Sequence, residues 1–130
     1  MFRHAVAIDL PLEPASARRA RAHLEPFRAA LDESAFVDLR LLVSELMVEA
    51  LHRKAEAENG TVDGTIELRA ELRDDRVRVE VAQVGDTFRL PSRRPEPGEP
   101  GWGLYLVTRL SNRWGLRRGP QESLVWLEVN

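Results

Sequence analysis

Glu45, Glu49 and His52 recur at spacings of four and three along one predicted helix, so they share a face. Two carboxylates and an imidazole at that spacing suggest metal or proton chemistry. Glu-x-x-His is half of the ligand set of di-iron carboxylate bundles, which needs a second such pair and two further Glu. The chain has no second Glu-x-x-His, so the motif does not complete a dinuclear site. Buried together, Glu45 and Glu49 would raise one another's proton affinity. On spacing alone, a solvated helix flank accounts for all three residues. Gly101-Trp102-Gly103-Leu104 is the second candidate. Two glycines before a helix let backbone N–H groups approach an anion, although a bare loop-to-helix turn has the same signature. Ser44 and Ser111 have no His partner in view for nucleophilic catalysis and read as packing or surface residues. Arg93-Arg94 could meet a phosphate or a partner's acids, with a solvated loop as the plainer reading. Trp102, Trp114 and Trp126 read as packing residues.

The elements that must position these residues can be predicted from periodicity. Val6, Ile8 and Leu10 alternate within a short strand over Phe2 to Leu12. Pro14 suits the first turn of an Ala- and Arg-rich helix over Ala15 to Ala22. Pro26 interrupts it and forces a restart over Phe27 to Leu31. Ser34 is the expected N-cap of the next helix. There Leu39, Leu42, Val43, Leu46, Met47 and Ala50 form a core-facing stripe, on a different face from Glu45 and Glu49. The helix fades over Lys54 to Glu58, and Asn59-Gly60 and Asp63-Gly64 are turn signals.

Ile66, Leu68, Ala70 and Leu72 then alternate with charges, as do Val77, Val79 and Val81. A two-residue turn at Asp74-Asp75 would oppose Glu71 to Arg78 and Arg69 to Glu80. It would also pair Leu72 with Val77, Ala70 with Val79 and Leu68 with Val81 on the buried face. Leu90 to Gly101 holds four prolines and reads as a loop or lid. A helix over Gly103 to Arg113 and a hairpin of Trp114–Arg118 with Leu124–Val129 close the chain. The pattern predicts an α+β fold, a two-layer α/β sandwich. Its mixed, mostly antiparallel sheet is covered on one face by helices.

Composition narrows the chemistry further. A chain of 130 residues suits one domain, residues 1–130, with 43% hydrophobic and 31% charged residues. Cysteine is absent, which excludes disulfides, thiolate zinc sites and thiol nucleophiles. The net charge of -2 argues against direct nucleic-acid binding. No apolar run approaches a membrane span and the first residues lack a signal-peptide core, so a cytoplasmic protein is expected. Among 19 basic residues only Lys54 is lysine. It does not follow a glycine, which excludes a Walker A loop.

Taken together, these segments resemble the Bergerat, or histidine-kinase-like, ATPases. They look most like the bacterial anti-sigma-factor serine kinases. Leu42-Val43-Ser44-Glu45-Leu46-Met47-Val48-Glu49-Ala50-Leu51-His52 is similar to that family's N-box helix. Val79-Glu80-Val81-Ala82-Gln83-Val84-Gly85 sits where a strand ends in the first glycine box. Gly101-Trp102-Gly103-Leu104-Tyr105-Leu106-Val107 resembles the second glycine box. Ser111-Asn112-Arg113-Trp114-Gly115 and Leu124-Val125-Trp126-Leu127-Glu128-Val129 resemble the final helix end and last strand. The match covers almost the whole chain in the right order.

The resemblance implies ATP and Mg²⁺ as ligands, with Glu45 as the catalytic carboxylate that polarises the attacking group. It assigns nucleotide contacts to Glu49, Gln83, Gly85, Gly101, Gly103 and Leu104. Three positions depart from the family pattern. Glu49 stands where an Asn holds Mg²⁺, and Gln83 where an Asp accepts from the adenine amino group. Thr87 replaces a common glycine. Glu49 remains a weak metal ligand of the right oxygen type. It also sets a second negative charge beside a triphosphate. At about 4 Å and an effective dielectric near 20, each unit of like charge costs around 4 kcal/mol before a metal offsets it. The resemblance thus implies a regulator of bacterial transcription that binds a sigma factor or an anti-anti-sigma partner, with ATP binding weakened or lost. The alternative it implies is an active protein serine kinase of the same fold. A homodimer is common in the family. Ala15 to Leu31 and the Pro-rich loop are the implied partner surfaces.

Overall fold

The computed structural model describes residues 5–57, 64–85 and 88–130. Strand β1 spans Ala5–Pro11, helix α1 Ala15–Ala22 and α2 Glu33–Ala57. A 3-10 helix over Glu25–Ala30 lies between the two helices, with Pro26 in its first turn. Pro26 has no N–H to donate, so α1 cannot run on through it. Strands β2 (Thr65–Arg73) and β3 (Arg76–Val84) follow, then α3 (Trp102–Leu110), β4 (Arg113–Arg118) and β5 (Glu122–Val129). Asn59-Gly60, Asp63, Thr87 and the first four residues of the chain lie outside the described residues.

The five strands run in the order β1-β2-β3-β5-β4. Each neighbouring pair is antiparallel, where the sequence led us to expect a mixed sheet. The reason is the final hairpin. The crossover through α3 brings β4 in parallel to β3, and β5 folds back between them. The β2–β3 register opposes Leu72 to Val77, Ala70 to Val79, Leu68 to Val81, Glu71 to Arg78 and Arg69 to Glu80. This is the predicted register. Asp74, at φ 57, takes the left-handed conformation that a tight two-residue turn demands.

One sheet face and the helices enclose the core. Leu68, Val79, Val81 and Leu127 from the sheet are fully buried, as are Leu39, Leu42, Val43 and Leu46 from α2. The other face carries the charges. Glu128, 5% exposed, takes ion pairs from Arg76, Arg78 and Arg113 there. The Arg78 guanidinium also lies 4.3 Å from the Trp126 ring centroid. That indole occupies the space a side chain at Gly115 would need, so β4 requires a glycine there. Trp126 is a packing residue of the open sheet face, as its sequence context suggested.

The α2 N-cap differs from the prediction. Asp32 Oδ1 accepts the Ala35 N–H at 2.8 Å, and Ser34 lies exposed inside the first turn. Either residue type can cap, and only the backbone geometry selects between two candidates two positions apart. Asp32→Ala is expected to destabilise the fold by about 1 kcal/mol in urea denaturation, whereas Ser34→Ala leaves the unfolding free energy within about 0.5 kcal/mol of the parent. A larger loss for Ser34→Ala than for Asp32→Ala would restore Ser34 as the cap.

Candidate functional site

The two carboxylates of α2 do not lie on a solvated flank, and this overturns the spacing-based reading. They face α3. A Cβ built on Gly103 would stand 2.9 Å from the Glu45 carbonyl oxygen and 3.5 Å from Glu49 Cβ. Only a glycine lets the first turn of α3 approach α2 so closely. Glu49 is 5% exposed. Its Oε1 accepts the Gly101 N–H at 2.7 Å, a buried bond across 52 residues of chain. Arg53 Nε donates to the same oxygen at 3.2 Å. His52, one of the three residues grouped by spacing, is exposed.

Gly101 is the N-cap of α3, with φ 94 in the left-handed region. Its N–H and those of the first helical turn form the donor set that draws anions to helix N-termini. Here the chain's own Glu49 carboxylate takes the Gly101 donor. Arg53 was not among the predicted site residues. Its i,i+4 spacing from Glu49 was the available signal.

Glu45 is partly buried. Burial, and secondarily the Glu49 charge beside it, raises the Glu45 carboxyl above the ordinary glutamate range. The folded state therefore holds the Glu45 proton more tightly than the unfolded chain does. Ionising Glu45 costs stability as pH rises through the window between the two values, and the cost is absent below the unfolded value. Glu45→Gln is expected to raise the melting temperature at pH 7 by about 2 °C and to lose that advantage near pH 4. A gain of equal size at both pH values would show that the charge of Glu45 is not its cause.

Gln83 lies at the end of β3, 3% exposed, opposite Ile66 and Ser123. Its Oε1 is buried without a hydrogen-bond partner. Such an atom normally finds a donor, so this orphan marks where one could be received. Gly85, at φ 99, is tied down by its own chain. Its N–H donates to Gln121 O at 2.8 Å, and its carbonyl accepts from Ser123 Oγ at 2.6 Å. The Leu104 side chain, 1% exposed, belongs to the core, so only its backbone could contact a ligand.

Phe88 is fully buried in the core cluster and anchors the segment after Gly85. The sequence reading passed over it because a single Phe in a polar stretch carries no periodicity. Ser44 Oγ donates to Arg40 O at 2.8 Å, and Ser111 Oγ to Val107 O at 2.6 Å. Both hydroxyls are tied to helix carbonyls, Ser44 within α2 and Ser111 as the extended C-cap of α3, which ends at Leu110 and does not reach Arg113 as expected. Trp102 stacks on Tyr105 with centroids 5.6 Å apart.

The residues that would have to receive a magnesium nucleotide do not fit it as arranged. A phosphate brought to Gly101 meets a carboxylate already on that N–H, with like charge at contact distance. The adenine-side acceptor is a neutral amide, where the resemblance expects a carboxylate. Among the described residues there is no group of three or more His, Asp or Glu that could hold a metal ion. No described helix is long and apolar enough to cross a membrane.

Comparison with known proteins places the chain in a family and identifies its fold. The model of the histidine kinase-like ATPase domain family matches residues 10–129. A serine-protein kinase, RsbW of Bacillus licheniformis, is 32% identical over 85 residues, covering 56% of this chain and 52% of the relative. The chain thus spans about half the length of that relative. The crystal structure of the RsbU and RsbW domains of a Mycobacterium tuberculosis protein superposes with a TM-score of 0.68. It shares 22% identity and covers 96% of this chain and 32% of that one. At that identity the superposition speaks for the fold alone.

Proposed function

For a chain that belongs to the histidine kinase-like ATPase domain family, we propose a role as a cytoplasmic, anti-sigma-factor-like regulator with weakened nucleotide binding. It acts by binding a sigma factor or an anti-anti-sigma partner. The observation that supports weakening is the buried bond from Gly101 N–H to Glu49, which puts a fixed carboxylate where a nucleotide phosphate would be received. Glu49 and Gln83 are the two implied nucleotide-contacting positions at which this chain departs from the family pattern. The partner class is what the resemblance of the α2, β3 and α3 motifs to anti-sigma-factor serine kinases implies. The surfaces proposed for contact are residues 15–31 and 90–101, and a homodimer is the proposed assembly. Regulation of transcription follows from the partner, with no direct contact to nucleic acid.

Calorimetric titration with Mg-ATP, followed by titrations with the cognate sigma factor and with the anti-anti-sigma partner, tests this reading. Binding of the sigma factor with no measurable Mg-ATP heat is the expected result. Tight, Mg²⁺-dependent nucleotide binding would defeat the weakened site, and failure of both partner classes to bind would defeat the regulatory role.

One observation favours a second reading, an active serine kinase. Glu45 keeps the position of the catalytic carboxylate, and its raised proton affinity suits a group that accepts a proton. Transfer of labelled phosphate from ATP to a bound partner protein decides between the two.

A further inference from the structure

Strand β4 forms one border of the sheet. Its strand neighbour is β5, so a row of its backbone donors and acceptors faces outward with no strand to receive it. The register sets Arg113, Gly115 and Arg117 opposite Glu128, Trp126 and Leu124, on the open face of the sheet. Trp114 and Leu116 stand opposite Leu127 and Val125, on the face that carries the core. Both pack against the core cluster but are only half-buried, so apolar surface remains beside the open edge.

The charge around this edge has one sign. From Pro100 to Gln121 the chain carries four arginines, Arg109, Arg113, Arg117 and Arg118, and no acidic residue. Arg113 lies 3.5 Å from Glu128, a carboxylate it shares with Arg76 and Arg78, and Arg118 is engaged as well. Arg109 and Arg117 are exposed and form no ion pair among the described residues. Glu122, beyond the turn at the start of β5, is the first acid to follow them.

Charged side chains often guard a sheet edge against association. This guard depends on the sign of the newcomer. A second copy paired edge to edge about a two-fold at Gly115 would oppose Arg113 to Arg117 on both sides, and like charges directly opposite are destabilising. A strand with acids at those positions gains from the same arginines. Its alternate side chains would fall on the other face, beside Trp114 and Leu116, where apolar residues are favoured. The opposite border offers no such selection. There β1 carries Asp9 as its single charge and ends in Pro11, whose carbonyl already accepts from Ser16 Oγ and the Glu13 N–H.

We propose that the open edge of β4 receives an extended segment of a partner protein in which acidic and apolar residues alternate. Main-chain bonds to the edge supply the attachment, and the two faces of β4 read the alternation. The proposal stands on β4 alone and depends neither on nucleotide binding nor on the regulatory reading.

The probe is a synthetic eight-residue peptide of alternating Glu and Val, blocked at both ends. It is titrated into the ¹⁵N-labelled full chain and followed by NMR. Saturable shifts centred on residues 113–118 are expected, with a dissociation constant of about 100 µM. Two N-methylated forms, one methylated at every Glu nitrogen and one at every Val nitrogen, each block one row of the peptide's N–H groups. One form should bind at least about tenfold more weakly and the other should keep its affinity, because a strand turns alternate N–H groups to opposite sides. Four Glu followed by four Val, the same charge without the alternation, should bind at least about fivefold more weakly. Arg117→Glu should also weaken the alternating peptide at least about fivefold, whereas Arg18→Glu on α1 should leave it unchanged. Arg117 is exposed, so the fold survives the change. Equal affinity of the two methylated forms, or of the block and alternating peptides, would reduce the contact to charge and overturn the strand. Equal weakening by Arg18→Glu would do the same. Shifts centred on β1, or no binding at about 1 mM, would show that the β4 edge is guarded and takes no strand.

Discussion

Glu49→Asn combined with Gln83→Asp is expected to raise Mg-ATP affinity by at least about tenfold, or 1.4 kcal/mol. The larger share comes from Glu49. Its carboxylate holds the Gly101 N–H at 2.7 Å from a position 5% exposed. A triphosphate at that helix end meets a like charge worth around 4 kcal/mol at about 4 Å and an effective dielectric near 20. Asn keeps an oxygen for Gly101 but removes the charge and one methylene. Gln83→Asp contributes less and in a different way. It replaces the orphaned Oε1 with a charged acceptor that strengthens a bond to an exocyclic amine. Without ligand that buried carboxylate has no partner, so the double variant should melt below the parent and recover on adding Mg-ATP. Calorimetry and melting curves with and without ligand read both effects. A folded double variant that shows no Mg-ATP binding at millimolar concentration would mean that this chain's site is not a latent nucleotide site.

Gly103→Ala carries the largest expected loss of stability, about 2–3 kcal/mol, or roughly 10 °C in melting temperature for a domain of this length. Two effects compete. In a helix interior Ala is favoured over Gly by about 1 kcal/mol. Against that, the new Cβ lies 2.9 Å from the Glu45 carbonyl oxygen and 3.2 Å from its carbon, and a helical backbone cannot rotate aside. α3 must back away, which loosens Leu104 and Val107, both buried against the core, and lengthens the bond from Gly101 to Glu49. Gly98→Ala is the matched control. Gly98 also has a positive φ, 88, but its Cβ would meet open space, so only backbone strain of about 1 kcal/mol is expected. A smaller loss for Gly103→Ala than for Gly98→Ala in urea denaturation would show that α2 and α3 are not in the close contact described.

Much of the scaffold was legible because its signals are local. Alternation in β2 and β3, with Asp74-Asp75 between them, dictated a register that the sheet reproduces pair for pair. Pro26 marked the end of α1 and Ala15–Ala22 its extent. Gly101 and Gly103 stood out as a helix start. The α2 cap was missed by two residues, because Asp32 and Ser34 are chemically interchangeable there. The sheet was expected to be mixed, because strand direction depends on how a long connection returns, and no local pattern encodes that.

The site divides along the same line. By itself the sequence determined which residue types lie on the α2 face, at the end of β3 and at the start of α3. Through the resemblance those residues carry, it also pointed to the family and to the positions that depart from its pattern. It could not determine what Glu49 touches. Spacing alone made Glu49 part of a solvated flank, because helical periodicity reports one helix and is blind to a second. Only the tertiary structure brought α3 onto that flank, through a glycine 52 residues away in sequence, and made the carboxylate a buried acceptor for Gly101. The same packing left Glu49 shared between Gly101 and Arg53. The physical reason is range: hydrophobic period and turn chemistry act over a few residues. The partner of a buried charge is chosen by whichever distant backbone the core brings within hydrogen-bond reach.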